Sequence, residues 1–290
     1  MNNASSFRDK YGPWAFIAGA SMGIGLAFSN EAAARGLNVV MVARGRDLLE
    51  QTAGEVRAAH GVEVRTLATD LADPDIGAIV AAATDDLEIG LFVYNATVAP
   101  AGKFLDVPLD LQLLSVAVNC ATPTILCNHF GTKMAARGRG GIGMVSSSGG
   151  TQGSINFGTY NAGKAYEWIL AETLWAELGD HGVDVSNIFV GATASPNFKS
   201  FQETLDPELC GRPDTDDPLD RARSRLMNPS EPREVAVALY DQLGDGPVCW
   251  AHPDDAWVTK ESLAMPRGDT VRMWRALQET STRTPDRQAR

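Results

Sequence analysis

The stretch Trp14-Ala15-Phe16-Ile17-Ala18-Gly19-Ala20-Ser21-Met22-Gly23-Ile24-Gly25 decides the fold. Trp14 to Ala18 is a short apolar run that predicts a buried strand, and an apolar-periodic helical pattern covers 24–35. Three glycines lie between them. Glycine is required where backbone turns sharply or lets another group approach closely. A helix that opens directly after such a turn offers free N–H groups and a partial positive charge to an anion. The spacing is GxxxGxG rather than the GxGxxG fingerprint. A plain tight turn would also use these residues. The position between strand and helix favours a pyrophosphate cradle.

Working outward, the same alternation repeats. Strand-like runs occur at 38–43, 62–67, 89–94, 141–145 and 183–190, and a last one at 248–251. Helical patterns occupy 46–59, 74–85, 109–137, 158–179 and 232–243. Strand-helix alternation implies right-handed crossovers and a parallel sheet covered on both faces. The expectation is one α/β domain over residues 1–290: a Rossmann-like, doubly wound parallel sheet of about seven strands in three layers. Residues 196–230 are rich in Asp, Pro and Arg and are expected to form a mobile lid over the site, a solvated linker being the alternative. Residues 251–290 form a C-terminal extension with one amphipathic pattern and a polar end expected to fray.

The bulk composition narrows the partners. The chain of 290 residues carries a formal charge of −11, which argues against nucleic acid or an anionic membrane surface as partner. The cysteines Cys120, Cys127, Cys210 and Cys249 form no CxxC pair, and the four histidines are scattered, so no disulfide framework and no metal site is expected. The N-terminus shows no signal-peptide pattern and no run of eighteen apolar residues occurs, so the expected location is cytoplasmic.

The second strand ends Val42-Ala43-Arg44-Gly45-Arg46, without the carboxylate that holds a free ribose 2′-hydroxyl. Arg44 is placed to pair with a 2′-phosphate instead. NADP(H) is therefore expected over NAD(H). The most informative stretch is Tyr160-Asn161-Ala162-Gly163-Lys164, because residues i and i+4 share a helix face. A free phenol has a pKa near 10, and an ammonium beside it favours the phenolate. Such a pair alone is common. Its company makes it specific: Ser147 lies thirteen residues before Tyr160 in the run Ser146-Ser147-Ser148, and Asn119 lies within the long helix 109–137.

In these motifs and their order, over residues 13–250, the chain resembles the short-chain dehydrogenase/reductase family in its compact, single-domain form. The resemblance implies a cofactor loop of Gly19, Gly23 and Gly25, with Ser21, Met22 and Ile24 on the phosphate side. It makes Asp70 and Leu71 the adenine contacts, and Asn95 and Ala96 the start of the family's Asn-Ala-Gly motif. Gly191 and Thr193 would border the nicotinamide. It implies Ser147, with Ser148 as second choice, as the serine that steadies a carbonyl. Tyr160 would be the acid, Lys164 its partner on the nicotinamide ribose, and Asn119 the holder of a proton-relay water. Thr97 and Val190 depart from the family pattern, and its glycine-rich closing motif is missing from the C-terminal end.

The function so implied is NADPH-dependent interconversion of a carbonyl and an alcohol by hydride transfer. Two alternatives stay open: a non-catalytic NADP-sensing protein on this fold, and an epimerase or dehydratase variant. Val98, Phe104, Phe157, Phe198 and Phe201 suggest a fairly apolar substrate, though each could be core. Trp168 and Trp175, seven apart, are expected in a core or subunit contact. The resemblance implies a homodimer or homotetramer through the helices at 109–137 and 158–179.

Overall fold

The computed structural model describes residues 3–203, 205 and 211–281. Seven strands form one parallel sheet in the order β3-β2-β1-β4-β5-β6-β7. They are β1 (Trp14–Ala18), β2 (Asn38–Ala43), β3 (Val64–Ala68), β4 (Ile89–Tyr94), β5 (Gly140–Ser147), β6 (Val183–Val190) and β7 (Val248–Trp250). The chain winds outward from β1 through β2 to β3, returns to lay β4 against the other side of β1, and winds outward again. At such a reversal the C-terminal strand ends border a crevice.

Side chains alternate across the sheet and both faces are covered. Ile17, Met41 and Val93 pack in a core with α2 (Gly23–Ala34), α3 (Arg46–His60) and α10 (Pro232–Gln242), joined by Phe7 and Tyr11 of α1 (Asn3–Tyr11). Phe16, Val42 and Phe92 point the other way, into a core shared with α4 (Ile76–Thr84), α6 (Thr122–Arg137) and α7 (Gly158–Leu178). Burial on both faces is why each strand is a continuous apolar run.

Four features differ from the expected elements. The helix α1 precedes β1. The run expected as one helix over 109–137 is α5 (Leu109–Val116), a π-helical turn (Ala117–Ala121) and then α6. Pro123 accounts for part of this: it lacks the N–H that would donate to the Asn119 carbonyl four residues back. By length and composition this run holds an 18-residue stretch apolar enough to cross a membrane (mean hydropathy 1.3 over that stretch). Its inner side is sheet core, with Leu126, Phe130 and Met134 buried.

The expected lid segment holds two helices, α8 (Pro196–Gln202) and α9 (Pro218–Met227). Residues 204 and 206–210 of that segment, Cys210 among them, lie outside the described residues. The C-terminal extension holds two helices where one pattern was expected, α11 (Pro253–Ala264) and α12 (Arg267–Ser281); residues 282–290, its expected fraying end, also lie outside the described residues. A satellite core joins these parts, with Ala222 of α9, Val258 of α11 and Leu277 of α12 buried against Trp257 and Trp274.

Candidate active site

The glycine loop leaves β1 pinned to its neighbours. The N–H groups of Gly19 and Ala20 both donate to the Val42 carbonyl at 2.9 Å. The Asn95 amide, just past β4, donates to the Gly19 carbonyl at 3.1 Å. At Gly25 a Cβ would lie 1.9 Å from the Gly19 carbonyl oxygen and 2.7 Å from the Asn95 amide nitrogen, so only glycine lets α2 descend onto the loop. Met22, in extended backbone before α2, makes no side-chain cap, and among the described residues the first-turn N–H groups have no side-chain acceptor. Ser21 and Ile24 are half-buried beside it. Arg44 stands exposed directly after β2. Asp70 is exposed and accepts from the Ala72 N–H at 3.0 Å, with Leu71 buried next to it. A bare helix start over a cradle closed by a missing Cβ fits a dinucleotide pyrophosphate.

A chain of contacts runs from this loop to α7. Ala96 lies against Gly19, where a Cβ would come within 2.9 Å of the Ala96 Cα. Asn119, fully buried in the π turn, clamps the next two residues: its Oδ1 accepts from Val98 N–H (2.9 Å) and Thr97 Oγ1 (3.3 Å). Its Nδ2 donates to the Val98 carbonyl (2.8 Å) and Ser115 Oγ (3.1 Å). The side-chain amide is therefore fully engaged with protein, and any water at this residue would meet its backbone. On the far side α7 presses close, since a Cβ on Gly163 would lie 2.7 Å from the Asn119 Cβ.

Lys164 is 3% exposed and held from three sides. Its Nζ donates to the Val145 carbonyl at 2.8 Å and to the two Glu167 oxygens at 2.8 and 3.2 Å. Its own carbonyl accepts from Ser146 Oγ at 2.6 Å. Nζ stands 6.0 Å from the Tyr160 ring centre, so the expected pair does share one face. Tyr160 is half-buried and its ring packs edge-on against Phe157 at 6.1 Å. Ser147 ends β5, and its Oγ accepts from Gly149 N–H at 3.1 Å within a tight turn over Ser148–Thr151. Ser148 is buried, with its hydroxyl unpaired among the described residues. Thr193, buried past β6, bridges to Ser230, and Gly191 lies two residues before it, half-buried.

Two contributors escaped the sequence reading. Glu167, one turn beyond Lys164, is fully buried, and burial pushes its carboxyl up to about 7, the Lys164 ammonium offsetting only part of that rise. Its spacing of three from Lys164 was the available signal. Pro123, four residues after Asn119, was the signal for the π turn. Of the expected pocket residues, Phe157 abuts Tyr160, Phe104 lies 3.3 Å from where a Gly158 Cβ would sit, and Phe198 and Phe201 pair on α8 at 5.8 Å. Trp168 is half-buried and packs on Phe189, while Trp175 is exposed. No cluster of candidate metal ligands occurs among the described residues.

A doubly wound parallel sheet, a glycine cradle at its reversal point and a Tyr–Lys helix at the strand ends together define an α/β oxidoreductase frame. Residues 13–206 match the short chain dehydrogenase family, and the chain belongs to that family. It is 37% identical over 195 residues to the 7beta-hydroxysteroid dehydrogenase of Collinsella aerofaciens, which covers 67% of this chain and 74% of that protein. A solved structure bearing on 7beta-hydroxysteroid dehydrogenase stereoselectivity superposes with a TM-score of 0.81 at 31% identity, over 92% of this chain and 98% of that one. A short-chain dehydrogenase from Sphingobium yanoikuyae in complex with NADPH superposes with a TM-score of 0.70 at 25% identity, over 87% and 93%.

Proposed function

We propose that this chain is an NADP(H)-dependent oxidoreductase that interconverts a ketone and a secondary alcohol on a polycyclic, steroid-like substrate. The observation that carries the reading is the half-buried Tyr160 phenol beside the Lys164 ammonium, joined through Asn119 and Asn95 to the glycine loop. The substrate class is supported by the 7beta-hydroxysteroid dehydrogenase relatives and by the Phe157 ring packed on Tyr160. The cofactor choice is supported by exposed Arg44 at the end of β2 and by the NADPH complex of the Sphingobium relative.

Gly19, Ser21, Met22, Gly23, Ile24, Gly25, Asn95 and Ala96 would hold the cofactor along the pyrophosphate, Arg44 the 2′-phosphate, and Asp70 and Leu71 the adenine. Gly191, Thr193 and Lys164 would border the nicotinamide end. When bound, the cofactor supplies or accepts the hydride. Tyr160 delivers the proton to the carbonyl oxygen, and Ser147 hydrogen-bonds the same oxygen as charge develops. Lys164 holds the phenol in its working form, and Asn119 fixes the floor on which both stand. The segment 196–230 acts as the lid, and the exposed apolar residues Leu109, Leu113 and Val116 of α5 with Tyr166 and Ile169 of α7 form the contact for a second copy.

The test follows NADPH absorbance against a panel of ketosteroids and simpler ketones. Tyr160→Phe is expected to lower turnover by roughly a hundredfold or more while NADPH binding, read by fluorescence, stays intact. A wild-type chain inert on every ketone, or a variant of near wild-type rate, refutes the assignment.

A further inference from the structure

One buried carboxylate has no part in the chemistry above. Glu167 is 0% exposed and accepts from Lys164 Nζ through both oxygens. The titratable groups that face it are Lys164 on its own helix, Tyr94 from β4, Cys120 from the π turn and Cys127 from α6. Lys164 alone among them is cationic. The ammonium thus stands between a carboxylate on one side and the Tyr160 ring, 6.0 Å away, on the other. A cation shared with a buried anion exerts a weaker field on a phenol than a cation alone, and a low-dielectric interior magnifies the difference. Stability gives no reason for the arrangement, because a buried ion pair adds little over an apolar pair of the same shape.

We propose that Glu167 is a positioning residue for Lys164, anchoring the ammonium at the base of the site and offsetting its charge so as to set the pH range over which Tyr160 exchanges its proton. This deepens, and rests on, the Tyr160 chemistry proposed above. Burial pushes the Glu167 carboxyl well above the usual carboxylate range, to about 7, with the Lys164 ammonium offsetting part of the rise. A second group senses the same charge. Burial first and the Glu167 carboxylate second push the thiol of half-buried Cys120 up.

The test uses the full chain with Glu167→Gln and Glu167→Met and reads two quantities. In the pH profile of kcat/KM for alcohol oxidation, the rising limb of both variants is expected to move to lower pH by about half a unit or more. In the absence of cofactor, alkylation of Cys120 at about pH 8, followed by peptide mass spectrometry, is expected to run roughly threefold faster than in the wild type. Superimposed pH limbs with an unchanged Cys120 rate overturn the proposal. So does failure of both variants to fold, which would make Glu167 purely structural; one folded variant is enough to decide. A wild-type chain inert on all carbonyl compounds removes the Tyr160 reading, while the Cys120 rate still reports on Glu167.

Discussion

Replacing Asp255 with asparagine tests how α9 is held. Arg225 of α9 and Asp255 of α11 form an ion pair at 3.0 Å with side-chain exposures of 7% and 5%. Arg225 also donates to Ser230 Oγ at 2.8 Å and to the Asn228 carbonyl, so the guanidinium has no route to solvent once its counter-ion is gone. Breaking one partner of a buried pair costs about 3–5 kcal/mol. Asparagine keeps one oxygen able to accept from Nε, which places the expected loss near the lower end, about 3 kcal/mol. For a domain of this size that corresponds to a drop in Tm of roughly 6–12 °C. Trp257 and Trp274 lie in the satellite core beside the pair, so a urea or thermal titration read by tryptophan emission reports on this region. Asp255 also presses on Gly191, where a Cβ would come within 2.4 Å of its Oδ1, so slower turnover is expected with the lost stability. The apolar double variant Arg225→Met with Asp255→Leu is expected to recover most of the loss. A single variant that melts within about one degree of wild type would refute the reasoning.

Arg44→Asp is expected to lower the ratio of NADPH to NADH efficiency by about tenfold or more, because the charge that meets a 2′-phosphate is reversed; an unchanged ratio shows that Arg44 does not read the phosphate. Gly163→Ala inserts a methyl 2.7 Å from the Asn119 Cβ and is expected to cost about 1–3 kcal/mol and displace the π turn, measured as a lower Tm together with slower turnover. Glu167 has a folded-state carboxyl raised from 4.5 to about 7, so the folded chain holds its proton more tightly than the unfolded one. Its contribution to stability is full below about 4.5 and is lost as pH rises through about 7. The urea midpoint of wild type relative to Glu167→Gln should therefore fall across that window, and a difference independent of pH refutes the sign.

The sheet was legible because each strand is apolar on both faces and each is followed by a turn and a periodic helix; all seven strands lie where those runs place them, within two residues at the ends. The glycine loop was legible for a steric reason that a sequence displays directly. Of the later helices, the one at 232–243 was legible, while those within 196–230 were obscured by prolines. Pro196, Pro218, Pro232 and Pro253 each open a helix, where a fixed φ and a missing N–H cost nothing. At Pro218, set among aspartates, the same residue read as loop punctuation. The break in the long helix was hidden differently: Pro123 fell inside an otherwise regular pattern, and its effect appears only on counting back four residues to Asn119. Glu167 went unread because a carboxylate on a long helix is ordinarily solvated, and only the packing of α7 against β4, β5 and α6 shows it sealed.

The Gln278 amide on α12 donates to Ser154 Oγ at 3.2 Å, and the same oxygen accepts from Asn161 beside Tyr160 at 2.6 Å. A helix more than a hundred residues downstream thus touches the start of α7 through the Ser154 hydroxyl. Drift in the side chains of α12 is therefore felt, through Ser154, at Asn161 in the first turn of α7.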